Sequence, residues 1–397
     1  MTLKNRQMPK VILKAGKEKA IRDRHHWIFS GAIHHLPKEV IDGAIASVYS
    51  FDHLFLGQAY FNRQSDIIGR MIAFTEEEIE FVIQKRLQAA LLLRAPFFDQ
   101  QTTGYRLVNG EGDELPGLIV DRYSDVLVLQ ISTLGMEQLK PLVIKELIAL
   151  VHPRAIYEKS NASVRKKEGL ANLQGFIYGD SSCDTVDFLE AGLTYRIHLQ
   201  ESQKTGFFLD HREMRKKVKE LAKNRTVLNA FCYTGGFTLS AIAGGAKSTT
   251  SVDISKEAVQ MVQEHVTLNG FNAGQQRYEC ADLFKFLRTE ELTGYDLIIL
   301  DPPAFAKKRA DILSACRGYK DLNRLALQKI APRSFVVTCS CSHYVDDDLF
   351  QKVVFQAALE AKRRVKVVGR HLQAPDHPVS LYHRETHYLK SLLLYVE

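Results

Sequence analysis

The fold of this chain is decided by the stretch Asn229-Ala-Phe-Cys-Tyr-Thr-Gly-Gly-Phe237, which follows the apolar residues Val227 and Leu228. An apolar strand that ends in glycines and leads into a helix is typical of the first strand of a doubly wound α/β sheet. Gly235 and Gly236 let the backbone approach a ligand, and the amino end of the following helix favours negative charge. The glycines lack the G-x-G-x-x-G spacing, which disfavours a nicotinamide dehydrogenase.

Strand and helix patterns alternate from residue 226 onward. This alternation predicts a Rossmann-like, doubly wound sheet of seven strands, and ligands of such sheets lie beyond the carboxyl ends of the strands. The predicted strands are 227–231, 251–253, 277–280, 296–300, 335–339 and two more near the carboxyl terminus; the predicted helices begin at 236 or cover 256–268, 282–290, 319–331 and 346–362.

The next three strands each end in residues suited to binding. Asp253 can accept hydrogen bonds from two ribose hydroxyls, with a helix cap as the alternative. Asp282 and Leu283 offer a carboxylate and an apolar face to an adenine ring. The run Leu300-Asp301-Pro-Pro-Ala-Phe305 has two prolines that stop the strand and hold a rigid loop. In chain order, these segments resemble class I methyltransferases that use S-adenosylmethionine. The resemblance implies the following cofactor-binding residues: Phe231, Tyr233, Thr234, Gly235, Gly236, Asp253, Ile254, Asp282, Leu283 and Asp301.

Two cysteines end the fifth strand, in the run Val336-Val-Thr-Cys339-Ser-Cys341-Ser-His343. Buried cysteines are usually inert packing, but a thiolate can add reversibly to carbon-6 of cytosine and make carbon-5 nucleophilic. Strand alternation puts Cys339 and Cys341 on one face, and the one nearer the carboxyl end reaches the pocket mouth. We therefore favour Cys341 as the nucleophile, with Cys339 as the alternative. Asp301 is predicted to stabilise charge around N3 or the exocyclic amine.

Length and composition indicate a globular protein of two or three domains, since the chain has 397 residues, of which 45% are hydrophobic and 25% charged. No run of about 18 apolar residues occurs, so we expect a soluble, cytoplasmic protein without a membrane segment. The six cysteines show no C-x-x-C spacing. We therefore predict neither a disulfide framework nor a metal site.

The net charge of +7 is concentrated in a few zones, and residues 1–40 hold nine basic and three acidic side chains. Two further basic zones lie within 212–225 and 362–366. Three basic zones favour a polyanionic partner, although any one of them is as readily a solvated face. Aromatic residues interleave with the cations of the first zone, as unstacked bases require. Arg24 and Trp27 are therefore predicted RNA contacts, with core packing as the alternative for Trp27.

Three domains are predicted. Residues 1–75 combine short strand-like runs with glycines, which indicates a small β-rich domain. Within it, Lys14-Ala-Gly-Lys-Glu-Lys-Ala and His26-Trp-Ile-Phe-Ser-Gly-Ala32 are similar to the start of PUA-type RNA-binding domains. Residues 76–185 are predicted to form a central α+β domain that opens with a helix. Residues 186–397 form the third domain, which begins with a hairpin around Ala191-Gly192 and contains the doubly wound sheet.

A wider resemblance rests on five motifs: Gln203-Lys-Thr-Gly-Phe-Phe-Leu-Asp-His-Arg212, Asn229 to Phe237, Asp301 to Phe305, Cys316-Arg-Gly-Tyr-Lys-Asp-Leu-Asn323 and Ser340-Cys-Ser342. With them the chain resembles, nearly end to end, a family of bacterial 23S rRNA cytosine-C5 methyltransferases. The resemblance implies a PUA domain, S-adenosylmethionine as cofactor, 23S rRNA before full assembly as partner, and Cys341 as nucleophile. Further predicted substrate contacts are Lys204, Thr205, Pro302, Pro303, Arg317, Tyr319 and Lys320, with packing as the alternative for Tyr319.

Two departures from the family pattern leave points open. Cys339 stands where family members commonly have another residue, and Pro302-Pro303 replaces the Pro-Cys of many RNA cytosine methyltransferases. The group that assists elimination is therefore not assigned, and a homodimer stays an open option. Two other functions also stay open: an amino-group methyltransferase that uses the Asp-Pro-Pro motif, and an RNA-binding assembly factor without turnover.

Overall fold

The computed structural model describes residues 8–397. These residues divide into two compact units. The first unit contains the chain up to Glu190, Arg196–Phe207 and Pro375–Thr386; the second contains Ala191–Tyr195, Phe208–Ala374 and His387–Glu397. None of the helices in residues 8–397 combines the length and apolar character that crossing a membrane requires.

The first unit begins with a six-stranded, mainly antiparallel sheet. The β-rich character predicted for this part of the chain is confirmed. The sheet has the order β2-β6-β5-β4-β1-β3, with β1 and β4 parallel, and it buries a small apolar core around Val11, Val48 and Phe61. Its elements are β1 (Lys10–Leu13), α1 (Lys19–Arg22), β2 (Trp27–Ile28), β3 (Ile33–His35), β4 (Ile45–Tyr49), β5 (Phe55–Phe61) and β6 (Gly69–Ala73).

A five-stranded sheet follows in the same unit, and the α+β character predicted for this segment is confirmed. The order is β11-β10-β9-β8-β7, and two long helices bury their apolar residues in the core that the sheet shares with them. The elements are α2 (Ile79–Arg94), β7 (Gly104–Asn109), β8 (Leu118–Tyr123), β9 (Val126–Ile131), α3 (Leu134–Val151), β10 (Ala155–Ser160), α4 (Val164–Lys167) and β11 (Leu173–Gly179). The domain boundaries at residues 75 and 185 stay predictions.

The second unit contains the predicted seven-stranded doubly wound sheet, in the order β16-β15-β14-β17-β18-β20-β19. Its first five strands are parallel, and β20 runs antiparallel to both of its neighbours. The predicted hairpin consists of β12 (Thr185–Glu190), which belongs to the first unit, and β13 (Leu193–His198), which is divided between the units. The elements of the second unit that follow are α5 (Arg212–Leu221), β14 (Thr226–Ala230), α6 (Gly236–Ala243), β15 (Ser248–Asp253), α7 (Lys256–Leu268), β16 (Gln276–Cys280), α8 (Leu283–Thr289), β17 (Leu297–Leu300), α9 (Ile312–Lys329), β18 (Ser334–Ser340), α10 (Asp347–Glu360), β19 (Val365–His371) and β20 (Lys390–Val396).

Side chains of the central strands alternate between two apolar clusters, as the pleat requires. On one face, Val337 and Cys339 of β18 pack with residues of α5 and α6. On the other face, Val336 packs with residues of α8, α9 and α10. This alternation aims Cys339 at the α5 face of the sheet.

Two local features differ from the sequence-based predictions. Helix α9 begins at Ile312 rather than at 319, because its first turns lie at the surface, where Leu313 is 73% exposed and no apolar periodicity marks them. Strand β18 ends at Ser340. Cys341 therefore lies just beyond the regular strand, and the expectation that Cys339 and Cys341 share a face stays a prediction.

Candidate functional site

The loop after β14 is the most strained segment of the second unit. Phe231, Tyr233 and Gly235 have φ angles of 61°, 45° and 83°, and non-glycine residues with positive φ are uncommon and cluster at functional sites. A Cβ on Gly235 would lie 2.8 Å from a methyl carbon of Val262. Glycine is therefore required here, both by the backbone angle and by the close approach of α7.

Asp253 holds this loop against the end of β15. Its Oδ2 accepts a hydrogen bond from the backbone N–H of Tyr233 at 2.9 Å, and its Oδ1 accepts one from the N–H of Ser255 at 3.0 Å. The alternative role as a helix cap belongs to Ser255, whose hydroxyl accepts from the N–H of Ala258. A carboxylate has about four acceptor sites. Two backbone bonds thus fix Asp253 and leave capacity for two hydroxyl donors.

The end of β16 supplies a second carboxylate and apolar surface. Asp282 caps α8, because its Oδ1 accepts from the backbone N–H of Lys285 at 2.8 Å. Leu283 is buried beside it, whereas Ile254 at the end of β15 is 71% exposed. An exposed isoleucine next to a fixed carboxylate with remaining acceptor sites fits a nucleoside, since the ring of a nucleoside needs an apolar face and its ribose needs acceptors. The residues present therefore fit S-adenosylmethionine.

Asp301 forms an ion pair that the sequence did not reveal. His211, just before α5, places Nε2 3.2 Å from Asp301 Oδ1 at the end of β17. Burial lowers the pKa of His211, but the charge and hydrogen bond of Asp301, together with Cys339, outweigh burial and raise that pKa well above its ordinary value. This direction favours an imidazolium at His211 beside Asp301. His211 stood in a quoted motif, yet nothing in the sequence connected it with Asp301.

Cys339 lies beside this pair, and donor atoms of His211, Asp301 and Cys339 all lie within 4.8 Å of one another. Cys339 is fully buried. Burial and then the Asp301 carboxylate raise the pKa of the Cys339 thiol, although His211 acts in the opposite direction. A buried thiol next to a carboxylate is a poor source of thiolate.

Cys341 occupies a different environment, in the turn that follows β18. It is half-buried, whereas its neighbours Ser340 and Ser342 are fully buried. The hydroxyl of Ser342 accepts a hydrogen bond from the backbone N–H of Ala306 at 3.2 Å and is joined to the hydroxyl of Tyr319 at 2.9 Å. Ser342 therefore ties the loop after β17, which contains Asp301, to the turn that contains Cys341.

Several predicted substrate contacts have structural roles. Tyr319 is fully buried; its hydroxyl serves the Ser342 link, so we remove it from the set of RNA contacts. Thr205 is also buried, and so is Pro302, whereas Pro303, Arg317 and Lys204 are exposed. Lys320 is half-buried and its ammonium contacts Glu360 at 2.7 Å.

The first unit contains the other two predicted contacts. Arg24 is exposed, with its guanidinium 5.2 Å from the centre of the Phe74 ring. Trp27 is half-buried; its indole N–H donates to Glu111 at 2.8 Å, which matches the packing alternative in part. Trp27 nevertheless lines a cleft of about 310 Å³ together with Phe29 and Lys17.

The basic zones are only partly available to a partner. Lys4 and Arg6 of the first zone lie outside the described residues. In the second zone Arg215 is 3% exposed and donates to the carbonyl of Phe208. In the third zone Arg363 donates to the carbonyl of Ile330. Some arginines of these zones therefore stabilise the fold.

Comparison with known proteins identifies the family of this chain. The family described as S-adenosylmethionine-dependent methyltransferase matches residues 172–387, and a PUA-like domain matches residues 11–74. A relative from Aeromonas hydrophila, named ribosomal RNA large subunit methyltransferase I, is 40% identical over 97% of this chain and 98% of its own. One of the same name from Shewanella denitrificans is 39% identical over 97% and 98%.

Solved structures show the same fold. A protein described as a SAM-dependent methyltransferase from Streptococcus mutans superposes with a TM-score of 0.84 at 25% identity, over 98% of this chain and 100% of its own. SMU.776, a methyltransferase complexed with SAH, gives a TM-score of 0.86 at 25% identity with the same coverage. The chain therefore belongs to the ribosomal RNA large subunit methyltransferase I (RlmI) family of S-adenosylmethionine-dependent methyltransferases with an amino-terminal PUA-like domain.

Proposed function

We propose that this protein methylates carbon-5 of a cytosine in large-subunit rRNA and that Cys341 forms a covalent bond to the base. The observation that carries the proposal is the half-buried Cys341 in the turn tied by Ser342 to the loop of Asp301. The names of the relatives support rRNA as the substrate. The exposed Arg24, and the cleft beside Trp27, support binding of RNA bases by the first unit.

The proposed cofactor site consists of the strand-end residues described above. The loop from Phe231 to Gly236 approaches the ligand, Asp253 accepts from the ribose hydroxyls, and Ile254, Asp282 and Leu283 hold the adenine. When bound there, S-adenosylmethionine supplies an electrophilic methyl group. The residues of the chain must therefore make carbon-5 of the base nucleophilic and hold it in place.

Cys341 performs the activating step. Its thiolate attacks carbon-6 of cytosine, and the ring electrons that move to carbon-5 would take up the methyl group as its bond to the sulfonium sulfur breaks. A base then takes the carbon-5 proton, and the electrons of that carbon–hydrogen bond restore the ring double bond and expel the Cys341 thiolate. Asp301 accepts from His211 through one oxygen. Its second oxygen is suited to accept from the exocyclic amine of cytosine, which favours the amine over N3 as its partner.

A covalent adduct tests this chemistry. The protein is mixed with S-adenosylmethionine and rRNA that contains 5-fluorocytosine, because fluorine at carbon-5 blocks proton loss and traps the carbon–sulfur bond. We expect a denaturation-resistant adduct in the wild type and in Cys339→Ala, and none in Cys341→Ala. If the adduct is lost only in Cys339→Ala, Cys339 rather than Cys341 is the nucleophile. If methylation survives both substitutions and no adduct forms, the covalent mechanism is excluded.

The same experiment separates the amino-group alternative. That reaction needs an aromatic residue beside the Asp-Pro-Pro motif to hold the base. Phe305 instead packs against Tyr319, with ring centres 4.6 Å apart, and against Phe284. Phe305 is half-buried and its ring packs against the apolar core, which supports carbon-5 chemistry over the amino-group alternative.

A further inference from the structure

Lys390 lies next to the proposed nucleophile, although the sequence assigns it no role. It is the first residue of β20 and pairs with Ser340 in the antiparallel ladder with β18. Its side chain is buried, with the residue only 3% exposed. The ammonium donates to the backbone carbonyls of Ser342 and Tyr388, each at 2.7 Å. The cation is thus attached to the turn that contains Cys341.

The charges that face Lys390 come from two elements. Asp346 and Asp347 lie at the start of α10, and both are exposed; Asp347 also contacts His387 at 2.8 Å. Cys341, in the turn after β18, is half-buried. Burial lowers the pKa of Lys390 to about 8, while Asp347, Cys341 and Asp346 oppose that shift. Water screens the two exposed carboxylates more than it screens the half-buried sulfur, so Cys341 also interacts with this cation.

We infer that Lys390 activates Cys341 by holding an ammonium beside it, so that the thiol ionises near neutral pH. The inference rests on the proposed role of Cys341 as nucleophile. A free cysteine has a pKa of about 8.5 and is mostly a thiol at neutral pH. A cation within several ångströms lowers such a value by about one to three units. The thiol proton leaves to solvent, and Lys390 stays protonated.

Two bonds to carbonyls also make Lys390 a positioning residue. Because both acceptors are uncharged backbone oxygens, these bonds hold the ammonium in place without a counter-charge and fix the turn in one geometry. Cys339, by contrast, lies next to the Asp301 carboxylate. The two cysteines therefore have different surroundings: Cys341 is half-buried beside the turn that Lys390 holds, whereas Cys339 is fully buried beside the His211–Asp301 pair, and burial and the carboxylate raise its pKa.

The test measures thiol reactivity directly. Purified full-length protein is alkylated with iodoacetamide between about pH 6 and pH 9, a range that brackets the usual thiol pKa, and each cysteine is followed by peptide mass spectrometry. We expect Lys390→Gln to slow alkylation of Cys341 about tenfold at neutral pH and to move its midpoint up by about one unit. Lys390→Arg, which keeps the charge, and Lys366→Gln, which removes an exposed charge on β19, should change the rate less than twofold.

The wild type provides a second measurement that does not depend on the variants folding. A Cys341 midpoint at or above about 8.5, the value of a free thiol, would overturn the inference, as would an unchanged rate in Lys390→Gln. Cys339 reports folding, because this buried thiol should stay unreactive in every folded sample. If the adduct with rRNA forms but alkylation of Cys341 does not depend on Lys390, only this inference is refuted. If alkylation of Cys341 depends on Lys390 but no adduct forms, only the proposed function is refuted.

Discussion

Replacing Ser342 with alanine should weaken both the stability of the second unit and the proposed reaction. The hydroxyl is fully buried and has two partners, the N–H of Ala306 and the hydroxyl of Tyr319. Ser342→Ala strands the buried N–H of Ala306, which costs about 1–3 kcal/mol, and removes one bond of the Tyr319 hydroxyl, which costs about 0.5–1.5 kcal/mol because that hydroxyl keeps Ser340 as a partner. We expect the free energy of unfolding to fall by about 2–4 kcal/mol, measured by urea unfolding with far-ultraviolet circular dichroism.

Two further variants make this prediction specific. Tyr319→Phe removes one of the two bonds and should cost about half as much. Ser240→Ala is the matched control, since Ser240 is also buried but its hydroxyl makes only a bond to the carbonyl of Gly236 within α6. The yield of 5-fluorocytosine adduct should fall in Ser342→Ala and not in the control. If Ser342→Ala lowers the free energy of unfolding by no more than Ser240→Ala does, the reasoning is refuted.

Three other predictions follow from the cofactor loop and the ion pair. Asp253→Asn leaves one acceptor oxygen for the two backbone N–H groups and the ribose hydroxyls together. Affinity for S-adenosylmethionine, measured by calorimetry, should therefore fall about 10- to 100-fold. Unchanged affinity would remove Asp253 from the site. Gly235→Ala should lower the free energy of unfolding by more than Gly270→Ala does, because both glycines have positive φ but only Gly235 has a side chain within 3 Å of the new Cβ. Equal decreases in urea unfolding would show that only backbone strain matters. The raised pKa of His211 means that its pairing with Asp301 stabilises the fold fully below the unfolded value of about 6.5 and is lost as pH rises through the folded value. The stability lost in Asp301→Asn should therefore be largest near pH 6 and shrink at alkaline pH, and a loss that grows with pH would contradict the pair.

Short-range patterns in the sequence determined most of the fold. The run after Asn229, the carboxylates Asp253, Asp282 and Asp301, and the alternation of helix and strand predicted the doubly wound sheet and the edge at which its ligand lies. These signals are local, because side-chain period, glycine and proline act on neighbouring residues. The strand ends meet at one edge for any parallel sheet, so the candidate cofactor residues could be named before their distances were known.

Only the tertiary structure decided which partners the reactive residues have. His211 meets Asp301, and Lys390 meets the turn of Cys341, because β20 returns antiparallel beside β18 and because α5 packs against one face of the sheet. Burial distinguished the two cysteines, since Cys339 is fully buried and Cys341 is half-buried. Tyr319 looked equally suited to RNA and to the core until its burial was known. Contacts between distant segments depend on strand order and packing, and periodicity along the chain contains neither.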